Sequence, residues 1–371
     1  MTHLHYLIAG ESHGPGIVAT LEGLPANVIL DKNFIDSKLK ERQQGYGRGG
    51  RQKIETDQVD FLSGVRHGKS LGGPITSFIK NKDYENWSEV MNPLPVNIDP
   101  QKLKEARYQS IHQPRPGHAD LAGAQKYHQT DIRNILERAS ARDTCARVAI
   151  GAICMEFLKN FGISFDRKIL FLGNVPVNSK TINAQAEKAI DAAREAKTTL
   201  GGIYEITVTG VPVGLGSFVT PERKLDGRIA QQIMSIQAHK GVQIGDGFEA
   251  AMRTGHEAHD AIVLENKKIK RVTNHAGGIE GGMSNGETIV VKAAMKPIAT
   301  LYRPLPTVDL QTMQAVEAHI ERSDICALEA ATVIGESAVA FVIAQAFLEK
   351  FGGDSLEEVV AHFRSYRPLY S

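Results

Sequence analysis

The chain has 371 residues, 42% hydrophobic and 23% charged, enough to bury one large core or two modest ones and too apolar for a disordered segment. Its 43 Lys and Arg against 42 Asp and Glu leave a net charge of +1, so no global field attracts nucleic acid or an acidic membrane, and any anion site must be built locally. Cys145, Cys154 and Cys326 lie far apart without a C-x-x-C pair, which argues against a disulfide framework, suits a reducing cytosol and makes each a small buried hydrophobe.

The first ten residues, MTHLHYLIAG, lack the basic start and apolar length of a signal peptide, so a cytoplasmic protein is expected. A glycine-bearing polar loop, GESHGPG at 10–16, precedes a strand at 17–21. A helix is predicted over 33–43, then strands at 59–65 and 75–79. Helical patterns follow at 120–127, 140–161 and 185–197, a strand at 203–209, and a helix at 225–235. Strands are expected at 270–274 and 288–293, and helices at 327–351 and 355–363. The apolar run at 327–347 is interrupted by Glu329, Glu336, Ser337 and Gln345, which makes it a buried helix and not a membrane span. Helices and strands do not alternate one for one, so the fold class is α+β and not a doubly wound sheet. No linker, low-complexity run or repeat divides the chain, and we expect one domain over 1–371 whose last roughly 20 residues form a helical tail.

The loop ERQQGYGRGGRQK at 41–53 sets Arg42, Arg48 and Arg51 among glycines. Its G-x-G-x-x-G follows a helix, whereas a dinucleotide fingerprint needs a strand before it and a helix after it. GVRHGKS at 64–70 is one residue short of a P-loop. An RNA-binding arm would interleave aromatic residues with the arginines, and the loop offers only Tyr46. Two readings stay open on the residues alone: a solvated basic face, or a pocket in which guanidinium forks bind carboxylate or phosphate oxygens in pairs. His13 in the first loop and His118 in RPGHAD at 115–120 are each either a hydrogen-bonded structural residue or an acid/base group, with Arg115 beside the second favouring work near an anion. Asp324 in ERSDICA could cap the helix starting near Ala327, or serve as a base if a partner meets it in space. His256 and His259 have i, i+3 spacing where a helical zinc motif needs i, i+4, so we read a surface pair and predict no metal.

Eight strings in order, GESHGPG, RQQGYGRGGRQKIETDQVDFLSGVRHGKSLGGPI, NKDYENW, RPGHADLAGAQKY, ILERASARDTCARVAIGAI, NHAGGIEGGMSNGE, KPIAT and ERSDICAL, closely resemble the chorismate synthase family, in the form typical of Gram-positive bacteria. The resemblance runs from about residue 6 to about residue 350. It implies a helical core layered between antiparallel β-sheets, a homotetramer, and a lyase that converts 5-enolpyruvylshikimate 3-phosphate to chorismate by anti 1,4-elimination of phosphate. It also implies reduced FMN as cofactor without net redox change, NADPH as indirect reductant, and, since no added reductase domain is visible, an external source of reduced flavin. A substrate with two carboxylates and a phosphate carries a charge of roughly −3 to −4 near neutral pH. That would give the Arg/Gly loop its purpose.

By the same resemblance Arg42 and Arg48 match the NADP and substrate-anion loop, with Arg51, Arg115 and Ser12 beside them. Arg138, Ala139, Ser140, Gln237, Ala238, Gly281, Lys296, Pro297, Ile298, Ala299, Thr300 and Arg322 match FMN contacts. His13 matches the histidine that protonates the departing phosphate, His118 the one that protonates reduced flavin, and Asp324 the aspartate that takes the proton from flavin N5. Ser12 and Ser140 would be hydrogen-bonding partners, unless Ser12 merely caps a turn. Four positions depart from the family pattern: Gln237 and His239, which leave the contact at Gln237 to the backbone alone, and Glu329 and Thr332, the former a negative charge one turn past Asp324. No nucleic acid or membrane partner is expected.

Overall fold

In the computed structural model, which describes residues 4–49, 56–321 and 323–370, alternation of apolar side chains decides where sheets form. Strands β1 (His5–Ala9), β2 (Gly16–Glu22), β3 (Asp60–Ser63) and β4 (Ile75–Lys80) build one antiparallel sheet in the order β1-β2-β4-β3. Ile17, Ala19 and Leu21 of β2 and Ile75 and Ile79 of β4 bury one face of it. Strands β5 (Ser164–Leu172), β6 (Val175–Ser179), β7 (Gly202–Thr209), β8 (His239–Ile244) and β9 (Ile289–Met295) make a second antiparallel sheet in the order β8-β9-β7-β5-β6. In β9 the burial alternates strictly, with Ile289, Val291, Ala293 and Met295 inward.

The longer helices are α1 (Lys32–Gln43), α2 (Asp120–Tyr127), α3 (Arg133–Ala139), α4 (Thr144–Lys159), α5 (Ala184–Glu195), α6 (Leu225–Met234), α7 (Leu328–Phe351) and α8 (Leu356–Ser365). Helix α4 packs on α7, with β2 and β4 against α4 and β5, β7 and β9 against α7; α1 touches both helices. Both α4 and α7 are predominantly apolar and buried along most of their length, the pattern of a helix with almost no solvent face. Their closeness depends on Gly151, where a Cβ would stand 2.3 Å from the Cβ of Ser337. Phe157, Phe161 and Phe347 meet at ring separations of 4.3 to 5.8 Å, and each such buried ring contributes about 1.5–3 kcal/mol. Leu328–Phe351 is long and apolar enough to cross a membrane, but 89% of its most apolar window is buried inside the protein.

Several expected bounds shift. The helix expected from 140 starts at Thr144, because Ser140 is extended (ψ 145°) and its Oγ caps the 3-10 turn Ala141–Asp143. The strand expected at 270–274 is Lys268–Arg271, paired with Ile262–Glu265 in an exposed hairpin. Asp324 does not cap α7, whose N-cap is Ala327 with no side-chain bond. Strands β1, β5, β6 and β8 and helix α3 were not expected. Charges mask β5: Asp166, Arg167 and Lys168 interrupt its apolar pattern, and pairs such as Lys168–Glu205 (2.8 Å) hold them across strands.

Candidate active site

The GESHGPG loop joins β1 to β2 and is shaped by one amide: Asn81 Nδ2 donates to the carbonyls of Glu11 (3.1 Å), Ser12 (3.1 Å) and Gly14 (2.7 Å). Arg142 Nε donates to Asn81 Oδ1 (2.7 Å), and Arg142 Nη1 meets both oxygens of buried Asp57 at 2.7 and 2.8 Å. His13, in this loop, is gripped by Glu137 of α3. Its backbone N–H donates to Oε2 (2.8 Å), and its Nδ1 lies 2.8 Å from Oε1 and 3.0 Å from Oε2. The Glu137 side chain is 1% exposed, with Arg133 Nη1 3.9 Å away. The His13 ring rests on Trp87 at 4.2 Å, and Arg133 covers Trp87 at 5.2 Å. Ser140 Oγ donates to Ser12 Oγ at 3.2 Å.

His118 sits just before α2. Its Nδ1 lies 2.5 Å from Asp120 Oδ1 and 3.1 Å from Arg115 Nη2. Asp120 also accepts from Arg115 N, Nε and Nη2 at 3.0, 2.8 and 3.2 Å. Burial pushes the Asp120 carboxyl upward, but the bonds from His118 and Arg115 outweigh it and hold the group well below the usual carboxylate range. Arg115 Nη1 reaches on to Thr300 Oγ1 and Glu321 Oε2, both at 3.1 Å. Burial raises Glu321 too, yet its bond from His319 and the charges of Arg115, His319 and His13 leave it below its ordinary value. Glu321 therefore feels both histidine neighbourhoods at once.

The Arg/Gly loop folds back on the segment before α7. Gly45 and Gly47 take φ of 127° and 86°, open to glycine and strained for other residues. Gly47 O accepts from Ile325 N (2.9 Å), Gly49 N donates to Asp324 Oδ1 (2.6 Å), and Arg48 Nη1 pairs with Asp324 Oδ2 at 3.0 Å. Glu329 accepts from Tyr46 N (2.7 Å) and Ile182 N (3.3 Å), so the departure at that position clamps the loop backbone. Burial lowers the Arg48 guanidinium below its ordinary value while Asp324 pulls it back up. Arg42 lies under the Ala141–Asp143 turn, donating to Thr144 Oγ1 (3.0 Å) with Asp57 3.6 Å away. Arg48 Nε and Arg42 Nη1 are buried and have no hydrogen-bond partner among the described residues.

A third corner adjoins His13 through Ser140. Asp143 accepts from Arg138 Nη1 (3.1 Å) and Gln237 Nε2 (2.8 Å), so the Gln237 side chain does take part, and its buried Oε1 has no partner among the described residues. Ala139 leads into Ser140, and Ala238, at a left-handed φ of 65°, accepts from Lys296 N (2.9 Å). Lys296 Nζ donates to Gly117 O (2.6 Å), tying the run through Pro297, Ile298, Ala299 and Thr300 to the His118 loop. Gly281 lies on a hairpin packed against Gly216, Lys224 and Leu225, with open space where its Cβ would be. Arg51 and Arg322 lie outside the described residues. The cavity beside Arg115 and His319 is small, about 10 Å³, while a groove of about 960 Å³ runs elsewhere, between β1, α6 and the end of α7.

Glu137, Asp120, Glu321, Trp87 and Arg133 join this site although the sequence assigned them no role. The signals available were slight: a carboxylate just before Arg138, and one two residues after His118. As a unit the groups offer two histidines whose Nδ1 atoms are held by carboxylates, buried guanidinium donors for an anion, and an arginine-paired carboxylate able to receive a proton.

Residues 4–348 match the family model described as chorismate synthase. The chain is 50% identical to the chorismate synthase of Syntrophotalea carbinolica, over 99% of this chain and 98% of that protein. It is also 50% identical to that of Thermoanaerobacter pseudethanolicus, over 98% of each. A solved structure titled as the crystal structure of chorismate synthase superposes with a TM-score of 0.76 at 38% identity, covering 98% of this chain and 97% of that one.

Proposed function

The chain belongs to the chorismate synthase family, and on that premise we propose that the histidine, arginine and aspartate groups described above form its active site. The enzyme is a carbon–oxygen lyase of the shikimate pathway that eliminates phosphate from 5-enolpyruvylshikimate 3-phosphate to give chorismate, with no net redox change. One observation supports the site most directly: the buried Arg48 Nε, which has no hydrogen-bond partner among the described residues, beside Arg42 Nη1, which meets Asp57 only at 3.6 Å. A buried donor left unsatisfied costs about 1–3 kcal/mol, and an anionic ligand is the acceptor that would remove that cost.

In this reading Arg48 and Arg115 bind the substrate anions, supported by Arg42, Ser12 and Arg51. His13 gives a proton to the departing phosphate, and His118, its Nδ1 held by Asp120, is the second acid. Asp324, poised by Arg48 and Gly49, receives a proton. The corner of Arg138, Ala139, Ser140, Gln237 and Ala238 with the 296–300 run fits reduced FMN by its donors and acceptors: cations for a phosphate, and Gln237 Oε1, without a partner among the described residues, for a ring N–H. When bound, reduced FMN supplies a reversible source of electron density. Arg322 and Gly281 complete the cofactor contacts in this proposal. We read the packing of α4 and α7 between the two sheets as the family's layered helical core within one domain. The exposed apolar Phe248, Met252, Ile262 and Leu264 support assembly as a homotetramer. An external reductant, with NADPH upstream, and a cytoplasmic location complete the reading.

The test is anaerobic turnover of the enolpyruvyl substrate with FMN, with and without dithionite, following phosphate and chorismate. Both products should appear together and only with reduced flavin. Arg48→Ala should raise KM at least about tenfold, an effect that added salt reproduces in the parent enzyme. Unchanged KM would remove Arg48 from the anion site.

A further inference from the structure

Glu137 is almost completely buried, and ionised carboxylates are not buried without donors to meet them. Its donors are unequal in kind. Arg133 stands off at 3.9 Å, while His13 supplies both its backbone N–H and its ring Nδ1, the three contacts falling between 2.8 and 3.0 Å. The ring has little freedom to escape that grip, because Trp87 lies against its face at 4.2 Å. An ionised carboxylate only accepts hydrogen bonds, so the ring nitrogen facing it must carry a proton whether the ring is neutral or cationic. We propose that Glu137 is the positioning residue of His13, holding a proton on Nδ1 so that proton exchange with the substrate runs through Nε2. This rests on the reading of His13 as the acid that protonates departing phosphate.

A purely structural carboxylate would behave differently on substitution. In Glu137→Gln the amide oxygen still accepts the His13 backbone N–H, preserving the loop, while the amide NH₂ faces Nδ1 and demands an acceptor there. The neutral ring should then carry its proton on Nε2. The experiment is ¹⁵N NMR of histidine-labelled protein, with His13→Ala to assign the signals, at a pH where the ring is neutral. It is combined with kcat and KM for phosphate release by the flavin-loaded enzyme. The parent should show Nδ1–H. E137Q should show Nε2–H and a kcat lower by about 10²-fold with KM within about threefold, in the range general acid catalysis supplies. Glu137→Asp, which restores a carboxylate, should recover Nδ1–H and part of the rate.

A parent ring protonated on Nε2, or an E137Q ring that keeps Nδ1–H, overturns the proposal whatever the rates do. If instead His13→Ala turned over like the parent, the role of His13 as acid would fall, and the tautomer comparison would still decide whether Glu137 sets the ring.

Discussion

His13 and His118 each have a buried carboxylate on Nδ1, but the two carboxylates keep different company. Glu137 serves one loop: its three short side-chain contacts among the described residues are to His13, and Arg133 Nη1 stands 3.9 Å away. Asp120 is shared, accepting from three atoms of Arg115 as well as from His118, and Arg115 extends the network to Thr300 and Glu321. The first arrangement can tune one ring without involving the fold around it. In the second, the acid and an anion-binding arginine are held by the same group, so neither can move alone.

Breaking the shared carboxylate should therefore have the larger effect. Asp120→Asn leaves Arg115 buried at 7% exposure with its main counter-charge gone, a loss expected to cost about 3–5 kcal/mol. Urea unfolding should show it as a lower midpoint at unchanged m, and phosphate release should fall with it. The same pair predicts acid sensitivity. The folded-state pKa of Asp120 is depressed, so its contribution is fully present above the unfolded value of about 3.9 and is lost as pH falls from there toward the folded value. The parent should thus lose stability steeply below about pH 4, and D120N should show a flatter acid limb. Equal slopes would mean that Asp120 is not the linked group.

How much of this was legible beforehand depends on range. The bounds of α2 coincide with those read from sequence, since Asp120–Tyr127 is a local pattern closed by His128 in a left-handed conformation. Helix α7 announced itself by its long apolar run, and the four polar interruptions in it correctly pointed to a core helix. Helix α3 has seven residues, too few to display a 3.6-residue period, and Glu137 sits on it. The contact of Glu137 with His13 spans 124 positions, which no local pattern encodes. Glu329 shows the same limit: sequence placed it one turn from Asp324, but only packing reveals that it accepts from Tyr46 and Ile182 and clamps the glycine loop. Residue types and strings named candidate groups; which of them share a partner is a property of the packed sheets and helices.

The private dyad should be cheaper to disturb. Glu137→Gln keeps the shape and the backbone acceptor and removes a counter-charge that Arg133 faces only at 3.9 Å, without a short bond, so its stability cost should be about 1.5–3 kcal/mol, the scale of one charged hydrogen bond. A cost equal to that of D120N would mean the two carboxylates do the same structural work, and the contrast between them would fail.

The smallest expected effect is the coupling between the two. Glu137 and Asp120 share no hydrogen-bond partner among the described residues, and the link between their neighbourhoods is the field of His13 at Glu321, which also binds Arg115. A field acting across a carboxylate that is 29% exposed is partly screened by water, unlike a bond between buried groups. The double-mutant cycle of E137Q and D120N should therefore give an interaction energy of about 0.5 kcal/mol or less, the usual scatter for independent sites. Repeating the cycle in Glu321→Gln locates any residue of coupling. An interaction above about 1 kcal/mol that vanishes in that background would show Glu321 joining the two histidines into one titrating unit, and the private character assigned to the Glu137 dyad would have to be given up.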